Sequence, residues 1–321
     1  MKVVRVTRFG GPDVLVAGEA PEPSAGPGQV VVAVAVAEIN FVETQLRRGI
    51  TPGPPLPEPP YVPGGGVAGR VVAIGDGVPP EWLGRRVATG TAGHLGGNAE
   101  RAVADVDGLV PVPDGLGLPE AAALLNDGGT ALGLFEGAGV RAGDRVLVEA
   151  AAGGLGSLLV QLALSAGARV VGAARGEAKL ALVRELGAEA VDYSAPGWAK
   201  RVLDAAGGAD VVFDGVGGEI GREAFGAVVR GGRFSVHGAS SGAATVIPPD
   251  EAAERGVTVF GIEQLMGFGD GAKERTRRML EAAAAGRIRP VIGQRLPLER
   301  AADAHAAMEA RSVAGKTLLI V

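Results

Sequence analysis

Apolar and polar positions along the chain fall into two textures. Up to about Pro113 the apolar residues come in short β-branched runs, and six such runs read as strands: Val3–Thr7, Val30–Val36, Val67–Ile74, Arg86–Ala88, Ala99–Ala104 and Leu109–Val112. Pro/Gly clusters part them, a spacing that predicts a barrel or sandwich. Asn40–Arg48 is an exception and reads as a short helix capped by Asn40. Residues 51–63 hold seven prolines and predict an exposed, stiff loop.

From Pro119 the period lengthens. A helix is predicted over Pro119–Leu125, interrupted by Asn126-Asp127-Gly128-Gly129 and resuming over Thr130–Gly137. Helical and buried-strand patterns then alternate. Strands are expected at Arg145–Glu149, Arg169–Gly172, Ala190–Tyr193, Ala209–Asp214, Arg233–Val236 and Val257–Ile262, with helices between them. Such alternation predicts an α/β fold, a doubly wound parallel sheet of about six strands. After Phe268 the texture is mixed again. A helix to Ala285, a strand over Gln294–Leu298, a helix at Ala301–Glu309 and a last strand, Thr317–Val321, are expected to rejoin the β-rich part. The predicted division is residues 1–122 with 265–321 in one domain and 123–264 in the other.

Within the α/β part, Ala151-x-Gly153-x-x-Gly156 follows a strand and opens a helix. That context makes it a dinucleotide fingerprint: Ala152, Gly153, Gly154, Leu155 and Gly156 bring backbone amides and a helix dipole to a pyrophosphate. The next strand ends in Ala173-Ala174-Arg175, where an NAD-selective site would carry an acid. Arg175, with Lys179 one turn later, instead suits a 2′-phosphate, so NADPH is the expected cofactor. Glu177 between them is the contrary sign. Asp214-Gly215-Val216-Gly217 and His237-Gly238-Ala239-Ser240 end the fourth and fifth strands at the sheet edge where cofactors bind. Val216, Gly217, His237, Gly238 and Ala239 are therefore further cofactor candidates, with no catalytic role for His237.

Composition narrows the chemistry. The 321 residues contain no cysteine and three histidines, which share no metal-binding spacing, so no metal site is expected. Net charge is −5 and no basic run exceeds two residues, which argues against a nucleic-acid partner. No apolar run is long enough for a membrane span and the N-terminus lacks a signal-peptide core. A cytoplasmic address is expected by default.

Several segments together resemble one family. They are Ile39-Asn40-Phe41-x-Glu43-Thr44-x-Leu46-Arg47-x-Gly49, Tyr61-Val62-Pro63-Gly64-Gly65-Gly66-Val67-Ala68-Gly69, the glycine loop, and Arg311-Ser312-x-Ala314-Gly315-Lys316. The chain is similar over nearly its whole length to the zinc-independent quinone oxidoreductases of the medium-chain dehydrogenase/reductase superfamily. The resemblance implies a GroES-like β-rich catalytic domain interrupted by a Rossmann domain, with the active site in the cleft. It also implies that Asn40 and Thr130 lie near the nicotinamide, and that Tyr193, Lys179 and Arg311, with Lys316 a lesser addition, contact the 2′-phosphate. In zinc-dependent relatives a cysteine stands at Asn40 and a His-Glu pair at Gly65-Gly66. The sequence departs from the family where a tyrosine is common at Gln45, an acid or other polar group at Gly66, and Gly-Tyr-Ala-Glu at Gly97-Asn98-Ala99-Glu100.

The expected activity is metal-free hydride transfer from NADPH to a quinone, which needs little acid catalysis, so positioning supplies most of the rate. A competing reading is reduction of an enone or enoyl C=C bond, for which Tyr61 is the candidate proton donor. A third is an NADPH-binding sensor or structural protein without turnover. The apolar last strand, 257–262, predicts a homodimer formed edge to edge.

Overall fold

The structure is a computed structural model that describes residues 1–51 and 55–321. Residues 52–54 of the predicted proline-rich loop lie outside that description. The chain forms two compact units, residues 1–126 with 276–321 and residues 127–275.

The first unit opens with β1 (Lys2–Val6) and β2 (Leu15–Glu19), an antiparallel pair. Its larger sheet is built on β3 (Gln29–Ile39), followed by helix α1 (Phe41–Arg47), β4 (Gly66–Ile74), β5 (Arg86–Gly90), β6 (Arg101–Asp105) and β7 (Val110–Pro111). Strand β3 pairs antiparallel with both β4 and β6. Asn40 and Glu43 form a capping box that starts α1, as the Asn-x-x-Glu spacing favours.

Helix α2 runs unbroken from Leu118 to Ala138, through the predicted interruption. Gly128 and Gly129 are buried there, so they allow close packing and do not break the helix. Asn126 gives its side chain to Glu38, which removes its competition with the helical backbone. The two units divide within this helix, after Asn126.

The second unit is a six-stranded sheet containing β8 (Arg145–Glu149), β9 (Arg169–Ala174), β10 (Glu189–Asp192), β11 (Ala209–Asp214), β12 (Val228–Val236) and β13 (Thr258–Phe260). Every pair is parallel, in the order β10-β9-β8-β11-β12-β13. The order reverses between β8 and β11, the switch point at which such sheets bind ligands. The intervening helices are α3 (Gly154–Ser165), α4 (Glu177–Glu185), α5 (Trp198–Ala206), α6 (Gly218–Gly226) and α7 (Pro249–Arg255). Two predicted limits shift. Strand β12 begins at Val228, ahead of the expected Arg233, because Val228 and Val229 are β-branched and join it once α6 stops at Gly226. Strand β13 covers only three of the six residues expected.

After α8 (Ala272–Ala284) the chain completes the first unit with β14 (Ile292–Pro297), α9 (Ala301–Glu309) and β15 (Lys316–Ile320). Strand β15 inserts between β14 and β3. Leu298, Ala301, Ala304 and Leu319 then share the core of the N-terminal strands with Val30, Val32, Val67 and Val87. The guanidinium of Arg47 is buried and ion-paired to Glu309, which ties α1 to α9. That fixes the helix that Asn40 caps.

Candidate functional site

In the second unit β8 ends at Glu149 and the chain turns through Ala150–Gly153 into α3. Gly153 caps α3 with no side-chain hydrogen bond, so the first-turn amides have only the backbone geometry of a helix start. Gly156 has to be glycine: a Cβ there would lie 2.3 Å from the Ala150 carbonyl oxygen. The loop therefore folds tightly under an open helix N-terminus, the arrangement that fits a pyrophosphate.

At the end of β9, Arg175 lies exposed with its guanidinium carbon 5.9 Å from the centre of the Tyr193 ring. Glu177, the contrary sign in the sequence, is exposed and ion-pairs with Arg184 at 2.5 Å. Asp192 is the nearby acid. Its carboxylate already accepts from Ser194 N at 2.8 Å and Ser194 Oγ at 2.6 Å. Those bonds, with the charge of Arg175, hold it below its ordinary range. Arg175 and Tyr193 are thus brought together, and Lys179 lies in the first turn of α4 beside them in sequence.

The edge loops contain a cluster that the sequence reading did not single out. Asp214 Oδ1 accepts from Val216 N at 3.0 Å and from Gly217 N at 2.7 Å, which fixes the turn carrying both cofactor candidates. Glu149 is wholly buried beside it. Desolvation first, then the charge and hydrogen bond of Asp214, push its carboxyl well above the usual range. The raised Glu149 carboxyl thus faces a buried acid that is already committed to the Val216–Gly217 turn. His237 completes the group. Burial pushes its imidazole down to about 4, so it is neutral near neutral pH. A Cβ on Gly215 would sit 2.8 Å from its Nε2. The clue in the sequence was an acid closing an otherwise apolar strand.

The first unit holds Asn40, Tyr61, Arg311 and Lys316. Lys316 Nζ lies 2.6 Å from Asn40 Oδ1 and 2.6 Å from Glu38 Oε2, and it is 4 % exposed. The ammonium is engaged by Glu38 and Asn40 and has little exposed surface. Asn126 Nδ2 donates to the other Glu38 oxygen. Glu43 is buried in the same cluster. Desolvation pushes its carboxyl up to about 7, against the backbone N–H of Asn40 that it accepts at 3.3 Å. Arg311 stacks 4.2 Å over the Phe41 ring. Tyr61 exchanges backbone hydrogen bonds with Val6 and packs on the core, where burial and the charge of Glu43 push its phenol up to about 12. Thr130 is a half-buried residue of α2, in the second unit.

These donors do not fit zinc. Asn40 presents an amide already bonded to an ammonium, Gly65 and Gly66 offer no side chain, and no thiolate exists in the sequence. Among the described residues no group of three His, Cys, Asp or Glu side chains could hold a metal ion, and no helix is long and apolar enough to cross a membrane.

Residues 26–114 match the family described as the alcohol dehydrogenase GroES-like domain, and residues 154–284 match that described as zinc-binding dehydrogenase. The chain is 32 % identical to a quinone oxidoreductase of Pseudomonas aeruginosa over 99 % of both chains. It is also 32 % identical to a 2-haloacrylate reductase of Burkholderia sp, over 98 % of this chain and 97 % of that one. The solved Escherichia coli quinone oxidoreductase complexed with NADPH superposes over 100 % of both chains with a TM-score of 0.91 at 26 % identity. With a GroES-like unit, a parallel Rossmann sheet and full-length similarity to such enzymes, the chain belongs to the quinone oxidoreductase family of the medium-chain dehydrogenase/reductase superfamily.

Proposed function

We propose that this protein is an NADPH-dependent quinone oxidoreductase. The observation that carries the cofactor is the exposed Arg175 against Tyr193, with Glu177 drawn off by Arg184. The acceptor class comes from the full-length relatives named quinone oxidoreductase. When bound, NADPH supplies a hydride from its nicotinamide C4. The chain's own residues do the rest. The open first turn of α3 holds the pyrophosphate with amides and dipole. Arg175 and Lys179 bind the 2′-phosphate, and Tyr193 stacks on Arg175. The Asp214–Glu149 pair keeps Val216 and Gly217 in place, with His237, Gly238 and Ala239 on the neighbouring edge. Asn40 and Thr130 orient polar groups of the ligands. A two-electron-reduced quinone can take its protons from water, so no residue has to act as a strong acid.

Steady-state oxidation of NADPH and NADH with 1,4-benzoquinone tests this reading. We expect kcat/KM at least about tenfold higher with NADPH, the worth of one charge-assisted contact. Equal values for the two cofactors would overturn the assignment.

The 2-haloacrylate reductase relative favours a second reading, reduction of an activated C=C bond, which requires a proton for the other carbon. Tyr61 is the candidate donor, and Glu43 lies close enough to perturb it. Tyr61→Phe should reduce turnover of an unsaturated ketone and spare that of the quinone. We also propose a cytoplasmic homodimer formed through β13, the open edge of the six-stranded sheet.

A further inference from the structure

The contacts of Lys316 in the first unit have a consequence for Asn40. Strand β15 runs antiparallel to β3 with Thr317 opposite Ile39, a register that brings Lys316 beside Asn40. An ammonium has three donors and no acceptor. The Asn40 atom facing it at 2.6 Å is therefore the carbonyl oxygen, fixed by chemistry where a neutral neighbour would allow either orientation. With Oδ1 so held, the Nδ2 hydrogens are what Asn40 can offer a ligand. Glu38 anchors the ammonium at 2.6 Å and is itself held by Asn126. A Cβ on Gly66 would come within 2.3 Å of Glu38 Oε1 and 2.7 Å of Leu125, so the glycine makes room for this carboxylate. Stability does not account for the arrangement, since a buried ion pair is generally no better than well-packed apolar residues.

We propose that Lys316, anchored on Glu38, is a positioning residue that makes Asn40 a dedicated hydrogen-bond donor to a carbonyl oxygen in the site. That oxygen belongs to the carboxamide of the cofactor or to the quinone. The inference rests on the oxidoreductase reading above.

Removing Lys316 alone leaves Glu38 buried and unpaired, which can unfold the chain. The test therefore uses Lys316→Met with Glu38→Gln, which discharges both sites, and Lys316→Arg, which keeps the donor. If the donor serves the quinone, the double variant loses about tenfold in kcat/KM for 1,4-benzoquinone at saturating NADPH. If it serves the carboxamide, the Kd for NADPH, read by fluorescence, rises by about tenfold. In either case Lys316→Arg recovers most of the loss. In an Asn40→Ala background the same double substitution changes neither constant further, because its effect passes through Asn40. The proposal is overturned if a folded double variant keeps both wild-type constants, or if its loss multiplies with that of Asn40→Ala. Wild-type protein that reduces no quinone defeats the activity reading alone, and the NADPH Kd then decides this one.

Discussion

Arg175 and Glu177 stand two residues apart and their charges go to different partners. Glu177 is neutralised along α4 by Arg184, whereas Arg175 keeps an exposed guanidinium braced on Tyr193. Arg175→Ala is expected to lower kcat/KM for NADPH by roughly 10- to 100-fold, as loss of a charge-assisted phosphate contact implies. The value for NADH should change little, and parallel losses for both cofactors would show that Arg175 does not read the phosphate. The buried Glu149 gives a second residue-scale test. The folded state holds its proton more tightly than the unfolded chain does. That stabilisation is complete below the ordinary glutamate value of 4.5 and is lost as pH rises through the raised one. Glu149→Gln imitates the protonated acid, so its melting temperature should stay flat over the pH range in which the wild type declines. Identical slopes would mean that Glu149 carries no buried proton.

Among the elements, the turn from β8 into α3 was legible because its glycines are forced by backbone contacts only a few residues away. Gly156→Ala would press a methyl group on the Ala150 carbonyl. We expect a loss of about 1–3 kcal/mol in stability, as for other overpacked sites, together with weaker NADPH binding. Chemical denaturation and a fluorescence titration would measure the two. By contrast, the unbroken α2 was not legible. Asn-Asp-Gly-Gly has the composition of a turn, and what overrides it is the burial of both glycines and the bond from Asn126 to Glu38. The Lys316 cluster was hidden for a related reason. Its members come from near opposite ends of the sequence, and only the insertion of β15 beside β3 unites them. Local periodicity reports elements well and says nothing of such long-range pairings.

At the scale of the whole molecule, β13 is the last strand at one edge of the six-stranded sheet among the described residues, and its Val259 and Phe260 are half-buried. We expect a dimer by light scattering at micromolar concentration, and Val259→Lys should shift it toward monomer by charging the edge. A wild-type monomer would remove this edge as an interface. Acid should act on both units. His237, pushed down to about 4, and His305, pushed down to about 3 by burial and then the charge of Arg47, are neutral in the fold. Their contribution is lost as pH falls from the ordinary value of 6.5 through those lowered values. Both ring nitrogens of His305 are buried without hydrogen-bond partners. His305→Leu should therefore resist acid unfolding better than the wild type, and an unchanged acid midpoint would count against this origin of acid lability.

The space beside Gly66 also bears on redesign. Suppose Asn40→Cys, Gly65→His and Gly66→Glu were introduced together to install a zinc centre. The new side chain at 66 would collide with the Glu38 carboxylate, and the ammonium of Lys316 would repel the incoming ion. Conversion therefore requires Glu38 and Lys316 to be replaced as well as the ligand positions.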